Sequence, residues 1–449
     1  MMKAFKAYDI RGLWGTELNA DIAYRIGYFI PEVFDVKKVL IGRDIRLSSN
    51  EFFNALANGI TDAGADIYDA GLTTTPMVYW GTGKYDFEFS IMITASHNSS
   101  GYNGLKFSGK DVLPIGYDNG LNILERLVES DRTPTIRMKG KVAEFDFKDD
   151  YLRFLQNYKK DYSTLKIAVD CSNGMSSIFA REIFGDEPLY LNEQMNGKFP
   201  GHEPNPLNPE NQNQIKKCVT DNSCDVGVIF DGDADRVMFI DENGKFISPD
   251  LIIALLGHYF FEERSEKGKV VHDIRTSKAV GEYLVRFGVE IDIWKVGRAF
   301  GATKLKDVDG IYGGELAGHY YFRDFYYSDC AFMAAELVLN IVKDFNHQGK
   351  TFSNVISEIS TYANTGEVNF VIENKQEAMD TVLNFFKDQN DDFKFFDFDG
   401  FRLEFEDWWF NIRPSNTEPY LRFLAEAKNE KLLKEKTDII YGILKKYTS

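Results

Sequence analysis

The sequence predicts an α/β protein of several domains. Its 449 residues exceed the size of one ordinary domain and indicate roughly three or four. Through most of the chain, short apolar segments alternate with amphipathic helical segments, as in layered α/β folds. From about residue 363 the pattern changes to adjacent strands followed by a helix, which predicts a smaller α+β domain at the C-terminal end.

The first region contains three predicted strands and one predicted helix. KKVLIG (37–42), ADIYDAG (65–71) and FEFSIMIT (87–94) fit short strands. The segment 48–64 has the pattern of a helix, and Ser48 or Ser49 is its expected N-cap. The polar, charged stretch around 129–150 predicts a domain boundary.

The second and third regions repeat this pattern without repeating the residues. Strands are expected at 165–170, 225–230, 268–274 and 289–296, and these regions also run into polar or glycine-rich loops. Ligands of open α/β sheets bind at the carboxyl ends of the strands, so such loops are the expected place of a site. Near the end of the chain, 366–372 and 394–416 predict antiparallel strands with a turn at Gly400, and 431–447 predicts a helix.

Charge and composition exclude several classes of protein. The net charge of −17 argues against binding to nucleic acid or to a membrane surface, so an anionic ligand would need a local cluster of Arg and Lys. No apolar run approaches the ~20 residues of a membrane span, and the first residues lack the apolar core of a signal peptide. The four cysteines show no C-x-x-C spacing, which fits reduced thiols and predicts a cytoplasmic protein.

The segment VGVIFDGDADR places the carboxylates of Asp231, Asp233 and Asp235 directly after an apolar strand. Carboxylates this close repel one another unless a cation neutralises them, and hard divalent ions prefer oxygen ligands. Mg²⁺ fits best, because it takes few protein carboxylates and completes its shell with water and phosphate oxygens. The neighbouring Arg236 is a candidate to hold a phosphate or a ligand carboxylate.

Three other interpretations of this segment stay open. An EF-hand matches the aspartate spacing, with Glu242 at the twelfth position, but Arg236 stands where glycine is needed. In a phosphatase of the haloacid dehalogenase type, Asp231 would be the nucleophile and Asp233 the acid/base, although such loops usually carry Thr or Val where this chain has Asp235. The third interpretation is a solvated acidic turn.

The motif TASHN (94–98) follows an apolar run and contains Ser96 and His97. A serine hydrolase needs a Gly-x-Ser-x-Gly elbow, which this motif is not, and neighbouring side chains on an extended chain point to opposite faces. A phosphate carrier fits better, since a phosphorylated Ser96 would need a metal and cationic donors. A structural turn or cap serine is the remaining alternative.

Two further loops have ligand-binding chemistry. NIRPSNTEP offers a guanidinium, hydroxyls, an amide and backbone N–H groups, which suit a tetrahedral dianion, although local turn hydrogen bonds are an alternative. The side chains concerned are Arg413, Ser415, Asn416 and Thr417. In YGGELAGH, Glu315 could accept hydrogen bonds from sugar hydroxyls, and His319 could donate one or relay a proton; a glycine-rich turn with exposed polar residues is the alternative.

Taken in order, these motifs resemble the α-D-phosphohexomutase superfamily of phosphomannomutases and phosphoglucomutases along the whole chain. The motifs are AYDIRG (7–12), GRDIRLSS (42–49), TASHN (94–98), YNGLK (102–106), DGDADR (231–236), GELAGH (314–319) and RPSNTEP (413–419). Each motif alone is modest, but their common order over the length of the chain is hard to explain by chance.

The resemblance implies four domains around a central cleft, the first three of similar mixed α/β topology, with limits at 1–147, 148–247, 248–362 and 363–449. It implies an isomerase that converts hexose 6-phosphate to hexose 1-phosphate through an enzyme phosphoserine and a 1,6-bisphosphate, which also serves as activator. Mannose is the first choice of sugar, and use of both mannose and glucose is also expected to be possible. A phosphoglucosamine mutase and a Mg²⁺-dependent sugar phosphatase are the alternatives. The expected partner is a phosphorylated hexose, and a monomer or dimer is expected.

The resemblance also implies residue roles. Asp231, Asp233 and Asp235 would hold Mg²⁺ together with an oxygen of phospho-Ser96. Glu315 would contact sugar hydroxyls, and the phosphate loop at 413–417 would hold the phosphate that does not react. The matched positions near the transferring phosphate are Arg11, His97, Lys106 and Arg236.

Three positions depart from the usual pattern of the superfamily. Ala317 stands where the sugar loop usually has Ser, Arg298 where related segments have His, and Arg275 where Lys is frequent. Both arginines remain expected substrate-binding residues. Arg298 cannot readily serve as a base, because Arg stays protonated in proteins, so the general base is left unassigned.

Overall fold

The computed structural model describes residues 2–136, 138–389, 392–415 and 420–448. Their strands form four separate sheets, and the chain completes each sheet before it enters the next. In the first three domains helices alternate with strands along the chain. The fourth sheet is antiparallel and is accompanied by two helices. The architecture is therefore the predicted one, three mixed α/β domains and a C-terminal α+β domain.

Domain 1 has a six-stranded sheet. Its strands are β1 (Ile10–Leu13), β2 (Lys38–Arg43), β3 (Asp66–Leu72), β4 (Phe89–Ile93), β5 (Tyr102–Gly109) and β6 (Val142–Glu144), and its helices are α1 (Ala20–Phe34), α2 (Ser49–Asp62), α3 (Thr75–Lys84) and α4 (Leu121–Glu129). The order is β1-β5-β4-β2-β3-β6. Strands β2, β3, β4 and β6 are parallel, whereas β5 pairs antiparallel with β1 and β4. Every residue of β4 is buried, as expected for a central strand covered on both faces.

The predicted elements of domain 1 are present, with two differences in detail. Helix α2 begins where expected, but Ser48 does not cap it with its side chain. The Ser48 hydroxyl instead accepts a hydrogen bond from Asn103 (2.9 Å), and the Ser49 hydroxyl donates to Asp44 (2.6 Å). The short strand β6 lies inside the stretch that predicted a boundary, and all its residues are exposed, so it has no apolar pattern that would announce it.

Domain 2 has a five-stranded sheet. It contains α5 (Lys148–Leu155), β7 (Ile167–Asp170), α6 (Ala180–Phe184), β8 (Leu189–Leu191), α7 (Asn213–Asn222), β9 (Val226–Phe230), β10 (Val237–Asp241) and β11 (Phe246–Ile247). The order is β11-β10-β9-β7-β8. Strands β7, β8 and β9 are parallel, and β10 forms antiparallel pairs with β9 and β11.

Domain 3 has a four-stranded sheet. It contains α8 (Pro249–Gly257), β12 (Lys269–Asp273), α9 (Lys278–Leu284), β13 (Glu290–Trp294), α10 (Arg298–Asp307), β14 (Tyr312–Gly314), β15 (Tyr320–Phe322), α11 (Ala331–His347) and α12 (Phe352–Ile359). The order is β13-β12-β14-β15, with only the β14–β15 pair antiparallel. A π-helical turn (His258–Glu263) continues α8.

Domain 4 has an antiparallel sheet. It contains β16 (Ala363–Asn364), β17 (Val368–Val371), α13 (Lys375–Asp388), β18 (Lys394–Phe396), β19 (Phe401–Glu404), β20 (Trp408–Pro414), β21 (Tyr420–Ala427) and α14 (Glu430–Leu444). The order is β16-β21-β20-β19-β18, and β17 also pairs with β21. The predicted turn at Gly400 is present, with φ of 69° in the left-handed region that favours glycine.

The hydrophobic cores divide the molecule unequally. One large buried cluster runs through the first three domains, where Trp80 packs against Phe147 and Tyr151. Domain 4 has a buried cluster of its own, built from residues between 372 and 444. Polar contacts join it to domain 3, among them two hydrogen bonds that Arg402 donates across the interface. Domain 4 is thus docked on the rest of the molecule rather than fused into its core.

Candidate active site

Ser96 lies in a tight turn directly after β4. Its backbone is left-handed, with φ of 50°, which is unfavourable for a residue with a Cβ. The Ser96 amide donates to the Thr94 hydroxyl (2.8 Å), and Arg46 donates to the Ser96 carbonyl (2.9 Å). The Ser96 hydroxyl donates to Asp231 Oδ2 (2.9 Å). The turn therefore brings the predicted carrier serine against the predicted metal loop.

The three aspartates of the DGDADR motif meet between β9 and β10. All three are completely buried, and one oxygen from each lies within 4.8 Å of the others. Among the described residues, Asp233 Oδ1 and Asp235 Oδ1 have no hydrogen-bond partner. Burial, together with the two neighbouring carboxylates, raises the pKa of Asp231 well above its usual range. An all-oxygen donor set with two buried, unsatisfied carboxylate oxygens fits a hard divalent cation such as Mg²⁺.

Lys106 on β5 contacts two of these aspartates. Its Nζ donates to Asp233 Oδ2 (2.7 Å) and to Asp235 Oδ2. Burial lowers the pKa of Lys106, but Asp233 and Asp235 outweigh that effect and raise it above its usual value. Lys106 is therefore a fixed positive charge at the metal loop, next to the place where a phosphoryl group on Ser96 would lie.

Arg11 and His97 line the cleft near the Ser96 turn. Arg11 donates to Asn98 Oδ1 (2.7 Å) and to Asp9 Oδ2 (2.5 Å), which hold its guanidinium in place. Burial, and then the positive charges of Arg236 and Arg11, lower the pKa of His97 well below its usual value. His97 is consequently neutral at pH 7, and a neutral imidazole can still donate one hydrogen bond.

His319, in the loop between β14 and β15, is held by two partners. Arg236 Nε donates to His319 Nε2 (3.0 Å), and His319 Nδ1 lies 2.6 Å from Asp329 Oδ2. Since a guanidinium can only donate, Nε2 must accept, and the ring proton is placed on Nδ1, where it bonds Asp329. A buried His–Asp pair of this kind can act as an acid/base group once Arg236 releases Nε2.

Asp329 also binds Arg298, at the N-terminus of α10. Arg298 Nε donates to Asp329 Oδ1 (3.1 Å), and the guanidinium stacks 3.7 Å from the centre of the Tyr79 ring in domain 1. Burial alone would raise the pKa of Asp329, but Arg298 and His319 lower it to about 2. Asp329 is therefore an anion shared by the two side chains.

Glu315 lies in the same loop as His319 and is 3% exposed. The Tyr321 hydroxyl donates to Glu315 Oε1, while Oε2 lies 4.0 Å from Arg275. Burial raises the pKa of Glu315, and the charge of Arg275 opposes that rise. Glu315 lines the cleft, and its role toward sugar hydroxyls stays a prediction.

Two predicted substrate-binding arginines, Arg275 and Arg413, come from different domains. Arg275, in the loop after β12, forms a two-point contact with Asp273, at 3.2 and 2.7 Å. Arg413, near the end of β20, is 2% exposed, and its Nε and Nη1 have no hydrogen-bond partner among the described residues. Ser415 also lines the cleft, whereas Asn416 and Thr417 lie outside the described residues.

One cleft of about 700 Å³ collects these side chains, and all four domains contribute to its wall. The predicted residues that line it are Arg11, His97, Lys106, Asp235, Arg236, Arg275, Arg298, Glu315, His319, Arg413 and Ser415. Lys106, in the wall of the cleft, contacts Asp233 and Asp235, and Ser96 donates to the neighbouring Asp231. The serine turn and all three aspartates therefore adjoin the same cleft. The loops that the sequence marked one by one thus meet at a single site.

Comparison with known proteins identifies the family. Models of phosphoglucomutase/phosphomannomutase match in chain order, with alpha/beta/alpha domain I over residues 2–133, domain II over 149–244, domain III over 248–362 and the C-terminal domain over 367–441. A phosphomannomutase of Methanocaldococcus jannaschii is 34% identical, covering 99% of this chain and 98% of its own. The chain belongs to the phosphoglucomutase/phosphomannomutase family.

Other members of the phosphoglucomutase/phosphomannomutase family agree in sequence and fold. A phosphomannomutase of Escherichia coli is 35% identical over 97% of both chains. The crystal structure of a phosphoglucomutase/phosphomannomutase family protein from Burkholderia thailandensis is 27% identical and superimposes with a TM-score of 0.88 over 100% of this chain and 98% of that one. Within the described residues, no helix has both the length and the apolarity that a membrane crossing needs.

Family membership and geometry remove the alternatives for the DGDADR motif. An EF-hand would need helices on both sides, but the flanking elements are the strands β9 and β10. A solvated turn is excluded because all three aspartates are buried. The haloacid dehalogenase interpretation is replaced by the family match over the metal loop.

The three positions expected to depart from the pattern of the superfamily all lie in domain 3 and in the wall of the cleft. Ala317 stands between Glu315 and His319 and offers no polar group there. Arg298 is tied to Asp329 and Tyr79, and Arg275 to Asp273, so both guanidiniums have fixed positions. Because a guanidinium can only donate hydrogen bonds, neither arginine can accept a proton.

Sequence analysis missed several residues of this family site. Arg46 donates to the carbonyl groups of Ser96, Asn98, Ser99 and Tyr102 and thereby holds the serine turn in shape. Arg46 lies in the quoted motif GRDIRLSS, but the direction of its side chain is set by the tertiary fold. Asp329, which orients His319, follows no motif at all. Spacing identifies residues within one loop and gives no signal for a partner supplied by another element.

Proposed function

We propose that this enzyme interconverts hexose 6-phosphate and hexose 1-phosphate, with mannose or glucose as the sugar. The observation that supports the proposal is the meeting, at one cleft, of Ser96 and the buried aspartates with the arginines Arg275 and Arg413. Ser96 and the buried aspartates suit a phosphoryl group that moves, and Arg275 with Arg413 suits a phosphate that stays. The relatives named phosphomannomutase support mannose as the first choice.

In this proposal Ser96 carries the phosphoryl group. The P–Oγ bond of phospho-Ser96 breaks as the free hydroxyl oxygen of the sugar bonds to phosphorus. The sugar hydroxyl proton passes to a base, and the departing Ser96 Oγ takes up a proton. The product is a hexose 1,6-bisphosphate. After it turns around in the cleft, Ser96 Oγ gives up its proton and bonds to the other phosphorus, the bond between that phosphorus and the sugar oxygen breaks, and the sugar oxygen takes up a proton. The same bisphosphate is the proposed activator of the enzyme.

The proposed base is His319. Asp329 holds the proton on His319 Nδ1, which leaves Nε2 as the atom that accepts and later returns the sugar proton. Arg236 occupies Nε2 in this structure and would have to turn toward a phosphate oxygen for the transfer. Arg298 donates to the other oxygen of Asp329 and so holds the His319–Asp329 pair in place.

Charge neutralisation accounts for most of the catalysis in this proposal. Asp231, Asp233 and Asp235, with an oxygen of phospho-Ser96, would hold Mg²⁺, which supplies positive charge to the transferring phosphoryl oxygens. Arg11, His97 and Lys106 add donors from domain 1. Glu315 would orient the sugar through its hydroxyls.

Mass spectrometry and a coupled assay test the proposal. We expect a phosphate on Ser96 that is lost on incubation with glucose 6-phosphate, and we expect Ser96→Ala to lose at least ~10³-fold in kcat. Comparison of kcat/KM for mannose 1-phosphate, glucose 1-phosphate and glucosamine 1-phosphate ranks the sugars. A fully active Ser96→Ala enzyme, or release of free phosphate as the main product, would show a phosphatase and contradict the mutase.

The domain limits, the cellular location and the assembly state are further proposals. We propose the domain limits 1–147, 148–247, 248–362 and 363–449, because the strands of each sheet fall within them. A cytoplasmic location is supported by four cysteines that form no disulfide. A monomer or dimer remains the proposed assembly.

A further inference from the structure

Three guanidiniums converge where domain 4 meets domain 3. Arg275 comes from the loop after β12, Arg413 from β20 and Arg422 from β21, and all three line the cleft. Arg413 and Arg422 are directly opposite each other in the β20–β21 register. Like charges in such a pair repel, so the cluster needs negative charge nearby.

Glu367, just before β17, supplies part of that negative charge. Its Oε1 lies 2.9 Å from Arg422 Nη1, and its Oε2 lies 3.7 Å from Arg275 Nη1. Glu367 therefore bridges an arginine of its own domain and an arginine of domain 3. Its side chain is 24% exposed and faces the cleft, so a bound anion would lie in its reach.

Arg413 shows that the cluster has donors to spare. Its Nε and Nη1 are buried without a hydrogen-bond partner among the described residues, and the carboxylate of Asp399 is 4.0 Å away. Buried guanidinium donors without partners are costly, and a tetrahedral dianion can satisfy several at once. Glu367 and an incoming phosphate would thus contact the same group of arginines.

We infer that Glu367 is a positioning residue that competes with the substrate phosphate for Arg275 and Arg422. The inference rests on the proposed function for the identity of the anion, a phosphate monoester. Glu367 holds the two guanidiniums across the domain boundary and, as a negative charge beside them, weakens their hold on the phosphate. In the proposed reaction each phosphate of the bisphosphate must leave this pocket in turn, so an overly tight grip would slow turnover.

Inorganic phosphate is the probe that tests this inference by titration calorimetry. Glu367→Gln keeps the size of the side chain and removes its charge, and we expect it to bind phosphate about fivefold more tightly than the wild type. Glu435→Gln, which removes an exposed carboxylate of α14, is the matched control and should leave the affinity unchanged. Glu367→Asp draws the carboxylate back from both arginines and should give about a twofold gain, which keeps the test decisive if the Gln variant does not fold.

The double variant Glu367→Gln/Arg422→Ala locates the effect, because Glu367 makes its shortest contact with Arg422. If the gain in phosphate affinity comes from the release of this arginine, most of it must disappear with Arg422. A gain that persists in full without Arg422 would place it elsewhere and overturn the inference, as would an unchanged or weaker affinity of Glu367→Gln.

Steady-state kinetics supply a readout that a merely structural role would not move. We expect Glu367→Gln to lower both KM and kcat for a hexose phosphate by about fivefold, because stronger ground-state binding does not help the transition state. Structural damage would raise KM instead and contradict the inference. If the wild type has no mutase activity but Glu367→Gln still binds phosphate more tightly, the proposed function is refuted. The inference that Glu367 competes with phosphate for the arginines would then still hold.

Discussion

Glu336 on α11 shows at the residue scale how burial alone can fix a protonation state. The side chain is completely buried, and neither carboxylate oxygen has a hydrogen-bond partner among the described residues. Burial raises the pKa of Glu336 well above its ordinary value of 4.5, since an unpaired buried charge is far more costly than a neutral acid. The folded state therefore keeps Glu336 protonated to a higher pH than the unfolded state does.

We predict that Glu336→Gln stabilises the protein increasingly as the pH rises. Below the unfolded-state pKa of 4.5 both states of the wild type are protonated, and the two proteins should differ little. Above it, ionisation of the unfolded chain lowers the stability of the wild type by about 1.4 kcal/mol per pH unit until the folded-state pKa is reached, and the variant escapes this loss.

Urea unfolding at pH 5, 6, 7 and 8 measures the effect. Asp344→Asn, at the exposed end of the same helix, is the surface control. Stability curves of Glu336→Gln and wild type that run parallel over this range would contradict a buried, protonated Glu336.

At the scale of elements, the site depends on loops that touch backbone to backbone. Gly232, in the metal loop after β9, has no Cβ; one built there would lie 2.5 Å from the carbonyl oxygen of Ser96. The Gly232 carbonyl also accepts a hydrogen bond from Met175 (2.9 Å), which belongs to the loop after β7. The absence of a side chain at 232 is what lets the serine turn and the metal loop meet.

We predict that Gly232→Ala separates the serine turn from the metal loop. The clash is with backbone, which cannot rotate away, so we expect a loss of about 1–3 kcal/mol in unfolding free energy. Because Ser96 and Asp231 would move apart, kcat should fall at least ~10-fold. Thermal unfolding and a steady-state mutase assay measure the two effects.

Gly442→Ala is the matched control for that substitution. Gly442 lies in α14, and a Cβ built there has no atom within 4 Å. In a helix Ala is preferred over Gly by about 1 kcal/mol, so this variant should be as stable as the wild type or more so, with full activity. Full activity of Gly232→Ala as well would show that the loops tolerate separation.

Elements with a strong apolar pattern were predictable, and those without one were not. The strands β2, β4, β9 and β12 coincide with predicted segments because buried strands need continuous apolar side chains. The edge strand β6 is made by hydrogen bonds to β3 alone, with all its side chains exposed, so nothing in its composition marks it. The predicted side-chain cap of α2 by Ser48 is absent for a related reason, because the Ser48 hydroxyl accepts a hydrogen bond from Asn103 of β5 instead.

The same rule applies within the candidate site. Ser96 and the three aspartates were predictable since each follows an apolar strand at one end of a sheet. Asp329 and Glu367 were not, because each acts through a partner from a distant segment, His319 in one case and Arg275 in the other. Their roles depend on how β-strands and domains are placed in space.

At the scale of the whole molecule, Arg402 fastens domain 4 to the loop that carries Arg275. Its Nη1 donates to the carbonyl groups of Ile274 (2.6 Å) and Thr276 (2.7 Å), on either side of Arg275. The same guanidinium stacks 3.8 Å from the centre of the Trp409 ring and is 1% exposed. Docking of domain 4 thus also fixes the shape of the Arg275 loop of domain 3.

We predict that Arg402→Lys weakens substrate binding more than it slows chemistry. Lysine keeps the charge but cannot reproduce both carbonyl contacts and the stacking at once. We expect KM for a hexose phosphate to rise about tenfold, which corresponds to about 1.4 kcal/mol. Hydrogen exchange of residues 272–278 should become faster.

Arg286→Lys is the control for that prediction. Arg286 also stacks on an aromatic ring, 3.6 Å from the centre of Tyr283, but it is exposed and outside the cleft. Its replacement should leave KM unchanged. Unaltered KM and exchange in Arg402→Lys would show that domain 4 does not support the Arg275 loop.

The separate core of domain 4 has a consequence for how such an enzyme can diversify. The buried cluster of domain 4 and the one that runs through domains 1 to 3 share no side chain, so a substitution that repacks one makes no demand on the other. The link between the two cores is polar, and Arg402 supplies part of it through two backbone carbonyl groups of domain 3. Apolar substitutions can therefore accumulate in either core independently, provided that the polar contacts across the interface are kept.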